Sequence, residues 1–260
     1  MKVSIDSLAE IARYYDDLMS HVNYDRWFTV AVEIAALLPR GFCHLDAACG
    51  TCALLRKLRG LGWRSMGLDL SLAMLREGFR HAPAPTVFVA DLRAVPVVSQ
   101  FHYITCLFDS INFLTETADL RLAFRELARA LRPDGILYFD VVTERMILDH
   151  FAGRRWTERS GKLTTTWESK FCRESGIIET RISVKNGPES VVRERVYPLS
   201  VIAEAVEAAG LHVVQAVDAE TWQPIRRKTT RIDYVAVKGN PELFRERLAA
   251  KAERIRDLMQ

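Results

Sequence analysis

Short apolar runs alternate with amphipathic segments through the first half of the chain. Apolar runs flanked on both sides by segments with helical spacing are typical of parallel strands buried on both faces. The pattern therefore predicts a doubly wound α/β fold, in which helices cover both faces of a sheet. The predicted strands are residues 42–47, 63–68, 86–90, 101–108 and 135–142, and the predicted helices are residues 5–19, 23–38, 52–60, 71–81 and 118–131.

After about residue 145, apolar residues alternate with polar ones instead. Alternation over residues 163–197, with turn signals at Gly176 and Asn186-Gly187, predicts an antiparallel insertion of three or four strands. The helical and strand patterns then resume, so the chain returns to the first sheet. The predicted organisation is a seven-stranded, mostly parallel sheet from residues 1–145 and 198–238, an insertion at 146–197 after strand five, and an amphipathic C-terminal helix at 241–260.

Composition adds few constraints to this picture. The chain has 260 residues, 49% of them hydrophobic and 27% charged, and its net charge of +3 is too small to indicate nucleic acid by itself. Acidic residues stand near its start, and no apolar run is long enough to span a membrane, so we expect a cytoplasmic protein with no membrane partner. Five cysteines, three of them within ten residues, do not form the pattern of a secreted disulfide framework.

Acidic residues end the first two predicted strands. Asp46 leads into a tight loop of small residues that contains Ala48, Cys49 and Gly50, and Asp69 ends the next strand. The carboxyl ends of parallel strands meet at one edge of a sheet, so the loop and Asp69 should lie together. A loop that a ligand can approach closely, beside a carboxylate that can accept from both ribose hydroxyls, predicts a nucleoside pocket.

These residues are part of an ordered series of motifs. The series is Asp46-x-Ala48-x-Gly50-x-Cys52, Asp69 with Ser71, Met74 and Leu75, Ala90-Asp91, residues 106–114, and Leu131-Arg132-Pro133-Asp134-Gly135. In this order it resembles the motifs of class I S-adenosylmethionine-dependent methyltransferases, over residues 10–238. Residues 14–27 are similar to a bacterial small-molecule branch that includes sugar N-methyltransferases and glycine N-methyltransferase-like proteins. The resemblance implies a Rossmann-like fold, S-adenosylmethionine as cofactor and S-adenosylhomocysteine as product, with the insertion covering the substrate.

The resemblance also implies which residues hold the cofactor. Asp46 would engage the methionine ammonium, Asp69 the ribose, and Asp91 the adenine amino group, with Leu92 and Met74 on the adenine ring. The residues also allow structural interpretations: Asp46 as a loop cap, Asp109 as a cap of the next turn, and Met74, Tyr15 and Trp27 as core. The implied cofactor residues are Tyr15, Trp27, Asp46, Ala48, Cys49, Gly50, Asp69, Leu70, Met74, Ala90, Asp91, Leu92, Leu107, Phe108 and Asp109.

The sequence does not identify a catalytic base. Tyr15, Tyr24 and Arg231 are weak candidates, and the resemblance implies that Arg231 could bind an anionic substrate, although it could equally be solvated beside Lys228. Other polar residues predicted near the carboxyl edge also have structural interpretations. They are His102, Asp140, Thr143, Glu144 and His150.

Several other functions fit part of the pattern. Cys49 and Cys52 form a CxxC motif at a helix start, but no second motif or histidine pair completes a metal site, and a redox fold leaves the acids unexplained. A nicotinamide-dependent dehydrogenase needs G-x-G-x-x-G and no acid at position 46. A nucleic-acid methyltransferase needs a base-flipping motif of the Asn-Pro-Pro-Tyr type, where this chain has Phe108-Asp109-Ser110.

The leading hypothesis is in-line methyl transfer to a nitrogen or oxygen of a small molecule by a monomer or homodimer. The alternative outside enzymology is a non-catalytic module that binds S-adenosylmethionine and acts through a protein partner. In that alternative the C-terminal helix would make the contact. The same helix could instead dock on its own sheet or pair two copies of the chain.

Overall fold

The strands of the protein form two separate sheets. The structure is a computed structural model, and it describes residues 6–259. In chain order, the strands are β1 (Cys43–Ala47), β2 (Arg64–Asp69), β3 (Val87–Val89), β4 (Phe101–Cys106), β5 (Leu131–Val142), β6 (Arg155–Ser160), β7 (Leu163–Cys172), β8 (Ile177–Val184), β9 (Glu189–Arg195), β10 (His212–Asp218) and β11 (Arg231–Val237).

The larger sheet has seven strands in the order β10-β11-β5-β4-β1-β2-β3. Its neighbouring strands pair in parallel, except that β11 is antiparallel to both β5 and β10. The predicted fold class, a mostly parallel seven-stranded sheet with an antiparallel insertion after strand five, is confirmed. Because β1 to β5 all run the same way, their carboxyl ends lie along one edge of the sheet.

Helices cover both faces of this sheet. One face is packed by α5 and α7, and the other by α2, α3 and α8. A 3-10 helix, Ala9–Tyr14, precedes α1, and residue 5 of the predicted first helix lies outside the described residues. The helices are α1 (Tyr15–Leu18), α2 (Tyr24–Ala35), α3 (Ala53–Gly60), α4 (Leu72–Gly78), α5 (Thr117–Ala130), α6 (Glu144–His150), α7 (Leu199–Ala208) and α8 (Pro241–Leu258).

The C-terminal helix α8 docks on its own chain. Its apolar residues, Phe244, Leu248, Ala252 and Ile255, are buried against α2 and β10. This face is therefore unavailable for the partner or dimer contact that the sequence left open. Within residues 6–259, no helix is both long and apolar enough to cross a bilayer.

The second sheet, of order β6-β7-β8-β9, is built from the insertion. Its inner face buries Trp167, Ile182 and Val192 against Ile11 and Leu18 of the N-terminal segment. The sequence pattern missed α6, which leads into this sheet and is capped by Thr143, whose hydroxyl accepts from the Met146 amide at 3.4 Å. A seven-residue helix is too short to show a clear helical period.

Candidate cofactor and acceptor site

A cavity of about 470 Å³ opens at the carboxyl edge of the main sheet. This is the edge where ligands bind in open α/β sheets. Every predicted cofactor residue except Asp109 lines this cavity, and so does the catalytic candidate Tyr24. The lining residues from the prediction are Tyr15, Trp27, Asp46, Ala48, Cys49, Gly50, Asp69, Leu70, Met74, Ala90, Asp91, Leu92, Leu107 and Phe108.

The loop after β1 has a left-handed backbone at Ala48, Gly50 and Cys52, with φ of 58°, 55° and 65°. The two non-glycine residues each carry strain of roughly 1–2 kcal/mol. Strain of this kind persists only where the surroundings hold it, and it is concentrated at functional sites. The Cys52 amide donates to the Cys49 carbonyl at 2.8 Å, which closes the loop before α3 begins.

Asp69, at the end of β2, is held by the loop that it faces. One of its carboxylate oxygens accepts the Gly50 amide at 2.7 Å and the other accepts the Ser71 amide at 2.8 Å. Burial raises the pKa of Asp69, and the two amides partly oppose that rise. Each oxygen keeps lone-pair capacity, since a carboxylate offers about four acceptor sites. The pair can therefore accept from two neighbouring hydroxyls in the cavity.

Asp46 is a buried carboxyl group that also lines the cavity. One of its oxygens accepts from the Thr105 hydroxyl at 2.7 Å, because β1 and β4 pair Asp46 with Thr105. Thr105 also contacts the ring of His44 at 3.0 Å, and burial lowers the pKa of His44 to about 3, so that ring is neutral. Burial raises the pKa of Asp46 to about 7. Among residues 6–259 no cation contacts Asp46, so a cationic ligand group fits beside it.

Aromatic rings form another part of the cavity wall. Tyr15, Tyr24, Trp27 and Phe108 all line the cavity. Burial raises the pKa of both tyrosines, so their hydroxyls stay protonated and serve as hydrogen-bonding groups rather than as bases. Within the described part of the chain, neither of these hydroxyls is bonded to another residue, and the buried indole nitrogen of Trp27 has no partner either.

The carboxylate of Asp91 is engaged by its own chain. Arg93 donates from Nε to both Asp91 oxygens at 3.0 Å and from Nη2 at 2.6 Å, and it also reaches Asp119 at 2.7 Å. Partial burial raises the pKa of Asp91, but the bonds from Arg93 outweigh it and the pKa is lowered. The predicted contact with an adenine amino group would thus share oxygens that already bind Arg93, a residue that the sequence prediction left out.

The structure corrects the expectations for Arg231 and Asp109. Arg231 is neither solvated nor in the cavity lining: it is 8% exposed and donates to Asp140, with Asp109 3.4 Å away. Its charge is therefore satisfied inside the protein, not by a substrate. Asp109 does not cap the following 3-10 helix, and its carboxyl is hydrogen-bonded to Glu194 of β9. Burial and Asp109 raise the pKa of Glu194 well above its ordinary value.

The other polar candidates have structural roles as well. His102 accepts from the Cys43 amide at 3.1 Å near the amino ends of β1 and β4, away from the cavity. Glu144 lies 3.2 Å from Arg173 at the surface, and His150 ends α6. Sequence reasoning missed Arg193 of β9, which lines the cavity, and Glu194 beside it, because the strand pattern does not show how the insertion packs on the main sheet.

Comparisons with known proteins agree with this geometry. Residues 45–135 match the family model described as a methyltransferase domain. The fold of an S-adenosylmethionine-dependent methyltransferase from Clostridium acetobutylicum superposes with a TM-score of 0.77 at 24% identity, over 88% of this chain and 98% of the other. Residues 45–135 thus resemble a methyltransferase domain, and the fold is one that S-adenosylmethionine-dependent methyltransferases adopt.

Two curated relatives match part of the chain. The Bacillus subtilis protein YqeM, named as a methyltransferase, is 33% identical over 61% of this chain and 64% of its own length. The dTDP-4-amino-2,3,4,6-tetradeoxy-D-glucose N,N-dimethyltransferase of Saccharopolyspora spinosa is 34% identical over 48% of this chain and 51% of its own. The matches thus span less than two thirds of either relative.

Asp46 should make the binding of a cationic ligand depend on pH. The Asp46 carboxyl, with its pKa raised from 3.8 to about 7, is mostly protonated at pH 6, whereas a bound ammonium requires the carboxylate. Binding of S-adenosylhomocysteine should therefore release a proton, and affinity should rise up to about tenfold per pH unit below 7 and then level. Calorimetry in buffers of different ionisation enthalpy measures this release.

Asp46→Asn is the variant that tests this assignment. It should flatten the pH dependence, leaving only the smaller contribution of Asp69. The same carboxyl also affects the ligand-free protein: because its folded pKa lies above its unfolded pKa, its contribution to stability declines as the pH rises from about 4 to about 7. An unchanged slope in Asp46→Asn would contradict the assignment.

Cys52→Gly should leave the affinity for S-adenosylhomocysteine unchanged or raise it by up to about tenfold. Glycine relieves the left-handed strain at this position, roughly 1–2 kcal/mol, while the loss of a buried thiol beside Leu55 and Leu75 offsets part of that gain in stability. Calorimetry measures the affinity. Cys106→Gly, a buried position in β4, is the control and should only destabilise the fold. A large loss of affinity in Cys52→Gly would contradict this account of the loop.

Proposed function

We propose that this protein transfers the methyl group of S-adenosylmethionine to a nitrogen of a small molecule. The observation that carries the proposal is that a buried carboxyl group, Asp46, and a half-buried one, Asp69, line one cavity, and that no cation among the described residues contacts Asp46. When bound, the cofactor supplies a sulfonium with an activated methyl. The protein then has to align the acceptor and exclude water.

We assign the residues that line the cavity to a cofactor end and an acceptor end. Asp46 would hold the methionine ammonium and Asp69 both ribose hydroxyls, while Met74 and Leu92 would pack on the adenine. Asp46 and Asp69 end neighbouring parallel strands, so both groups are held by the sheet rather than by flexible loops. Positions fixed in this way would hold the methionine and ribose parts of the cofactor in place.

The aromatic wall marks the acceptor end. Tyr15, Tyr24 and Trp27 come from the N-terminal helices, and Arg193 from the inserted sheet also lines the cavity. Aromatic faces suit an aliphatic amine, whose cationic and methylated forms they both attract. A nitrogen acceptor also agrees with the relative named as an amino-sugar N,N-dimethyltransferase, so we place amino sugars first among the acceptor classes.

A methyl-transfer assay tests this function. S-adenosylmethionine with a labelled methyl is incubated with panels of amines, including amino sugars, and with matched hydroxyl and carboxylate compounds. We expect label in an amine product, and no product with Asp69→Ala at cofactor concentrations that saturate the wild type. If the wild type binds the cofactor but labels nothing, the non-catalytic module is favoured instead. Tryptophan quenching by NADH but not by S-adenosylhomocysteine would favour a dehydrogenase.

We also propose that the protein works in the cytoplasm and acts as a single chain. All five cysteines are free thiols, as expected where the surroundings keep thiols reduced. The burial of the apolar face of α8 on its own chain supports a monomer. Light scattering at micromolar concentration measures the mass directly, and a dimer mass would require a different contact surface.

A further inference from the structure

The loop after β4 is strained at two successive residues. Phe108 and Asp109 have φ of 63° and 52°, and neither is a glycine. Two adjacent left-handed residues are uncommon for side chains of this size, and such a conformation persists only when its surroundings fix it. The chain therefore contains something that holds this loop.

Buried polar groups hold the loop from behind. The Asp109 amide donates to one oxygen of Asp140 at 3.1 Å, and Arg231 donates to the other. The Arg231 guanidinium also lies 3.4 Å from the Asp109 carboxylate. Asp140 is fully buried and Arg231 is 8% exposed, so these charge-assisted bonds act with little competition from water.

The strained loop directs one ring into the cavity. Phe108 packs edge-on against Trp27, with ring centroids 5.4 Å apart, and against Tyr24 at 5.9 Å. The Arg231 guanidinium lies 5.6 Å from the Phe108 ring and 5.4 Å from the Trp27 ring. The three rings line the cavity and the arginine does not, so Arg231 supports this wall from outside the site.

We propose that Arg231 is a positioning residue that, through Asp109 and Asp140, holds Phe108 as a specificity-determining wall at the acceptor end of the site. The role of Phe108 in acceptor specificity rests on the proposed methyl transfer. The claim that Arg231, Asp109 and Asp140 hold the loop does not. We assign Phe108 to the acceptor end because its ring partners, Tyr24 and Trp27, come from the N-terminal helices. The acids that suit the cofactor instead lie at the ends of neighbouring strands.

A pair of variants isolates the strain from the ring. Phe108→Gly and Phe108→Ala remove the same ring, but only glycine adopts a positive φ without cost. If the loop is held left-handed, the equilibrium constant for unfolding should be about 5- to 30-fold smaller for the glycine variant than for the alanine variant. Equal stabilities would overturn the claim that the loop is clamped. Arg227 is exposed, and its variants Arg227→Gly and Arg227→Ala are the control. At this position the glycine variant should not be more stable than the alanine variant.

Kinetics test the role of the wall. Arg231→Lys keeps the charge but loses the forked geometry, so it should fold and should share the phenotype of Phe108→Leu. With the amine found in the transfer assay, both should raise the acceptor KM at least about tenfold, while the affinity for S-adenosylhomocysteine stays within about threefold. Arg227→Lys should leave both unchanged. Lost cofactor affinity with an unchanged acceptor KM would assign Phe108 to the cofactor and overturn the proposal.

The two proposals fail in different ways. If no compound in the panel is methylated, the proposed function fails, and the glycine and alanine comparison still decides whether Arg231 and Asp140 clamp the loop. If an amine is methylated but Arg231→Lys and Phe108→Leu match the wild type in acceptor KM, the function stands and the positioning role is overturned.

Discussion

Replacing Asp69 with alanine should weaken the binding of S-adenosylhomocysteine by about 100- to 10,000-fold. The carboxylate can accept from two ribose hydroxyls, and a hydrogen bond to a charged group contributes about 1.5–3 kcal/mol. Losing two such bonds gives the stated loss of affinity, because about 1.4 kcal/mol corresponds to a tenfold change in the dissociation constant. Part of the loss will come from the loop, since the Gly50 and Ser71 amides also lose their acceptor. Isothermal titration calorimetry measures the affinity.

Two further variants make the Asp69 result specific. Asp69→Asn keeps one acceptor oxygen and should fall between the wild type and the alanine variant. Asp257→Asn removes an exposed carboxylate from α8, far from the strand ends, and should bind as the wild type does. Equal affinity in Asp69→Ala and wild type would exclude a ribose contact and, with it, the proposed orientation of the cofactor.

Arg231→Met should lower the free energy of unfolding by about 3–5 kcal/mol at neutral pH, the usual loss when one partner of a buried ion pair is removed. The change leaves Asp140 and Asp109 without their cation in a dry site. Burial already raises the pKa of Asp109, and Arg231 opposes that rise. Losing Arg231 should raise the pKa of Asp109 further, so the deficit should shrink as the pH falls from 7.5 toward 5. Urea unfolding at several pH values measures both effects.

Arg227→Met is the matched control for this arginine. Arg227 is exposed in the loop before β11, so its replacement should change stability by no more than about 0.5 kcal/mol and without a pH trend. If the free energy of unfolding of Arg231→Met were within that same margin of the wild-type value, the buried contacts of Arg231 would contribute no net stability. Failure of Arg231→Met to fold would agree with the prediction, and Arg231→Lys would then carry the comparison.

The parts of the site that could be predicted from sequence are those formed by residues that are adjacent in the chain. An apolar run ending in Asp46 or Asp69, followed by small residues, specifies both the strand end and the loop that faces the ligand. Local turn chemistry fixes the remainder of that region, since the positive φ of Gly50 and its neighbours is part of the same short segment. Which residues line the cavity could also be predicted, because a parallel sheet brings the carboxyl ends of its strands to one edge.

The contacts that sequence reasoning missed or misassigned join residues that are far apart in the chain and that meet only through strand pairing and packing. Arg231 meets Asp140 because β11 pairs antiparallel with β5, which brings residues 91 positions apart into contact. Glu194 reaches Asp109 only because the inserted sheet turns that face of β9 inward. The contact between Arg93 and the Asp91 carboxylate is local instead, since the two residues are two positions apart.

The shared packing of the N-terminal segment and the inserted sheet defines a unit for protein engineering. Ile11 and Leu18 cover the apolar inner face formed by Trp167, Ile182 and Val192, so neither part can be exchanged without exposing the other. Tyr15 and Arg193 bring these same two parts to the cavity. A chimaera that acquires a relative's acceptor preference will therefore need both segments from the same donor, whereas the cofactor half can remain unchanged.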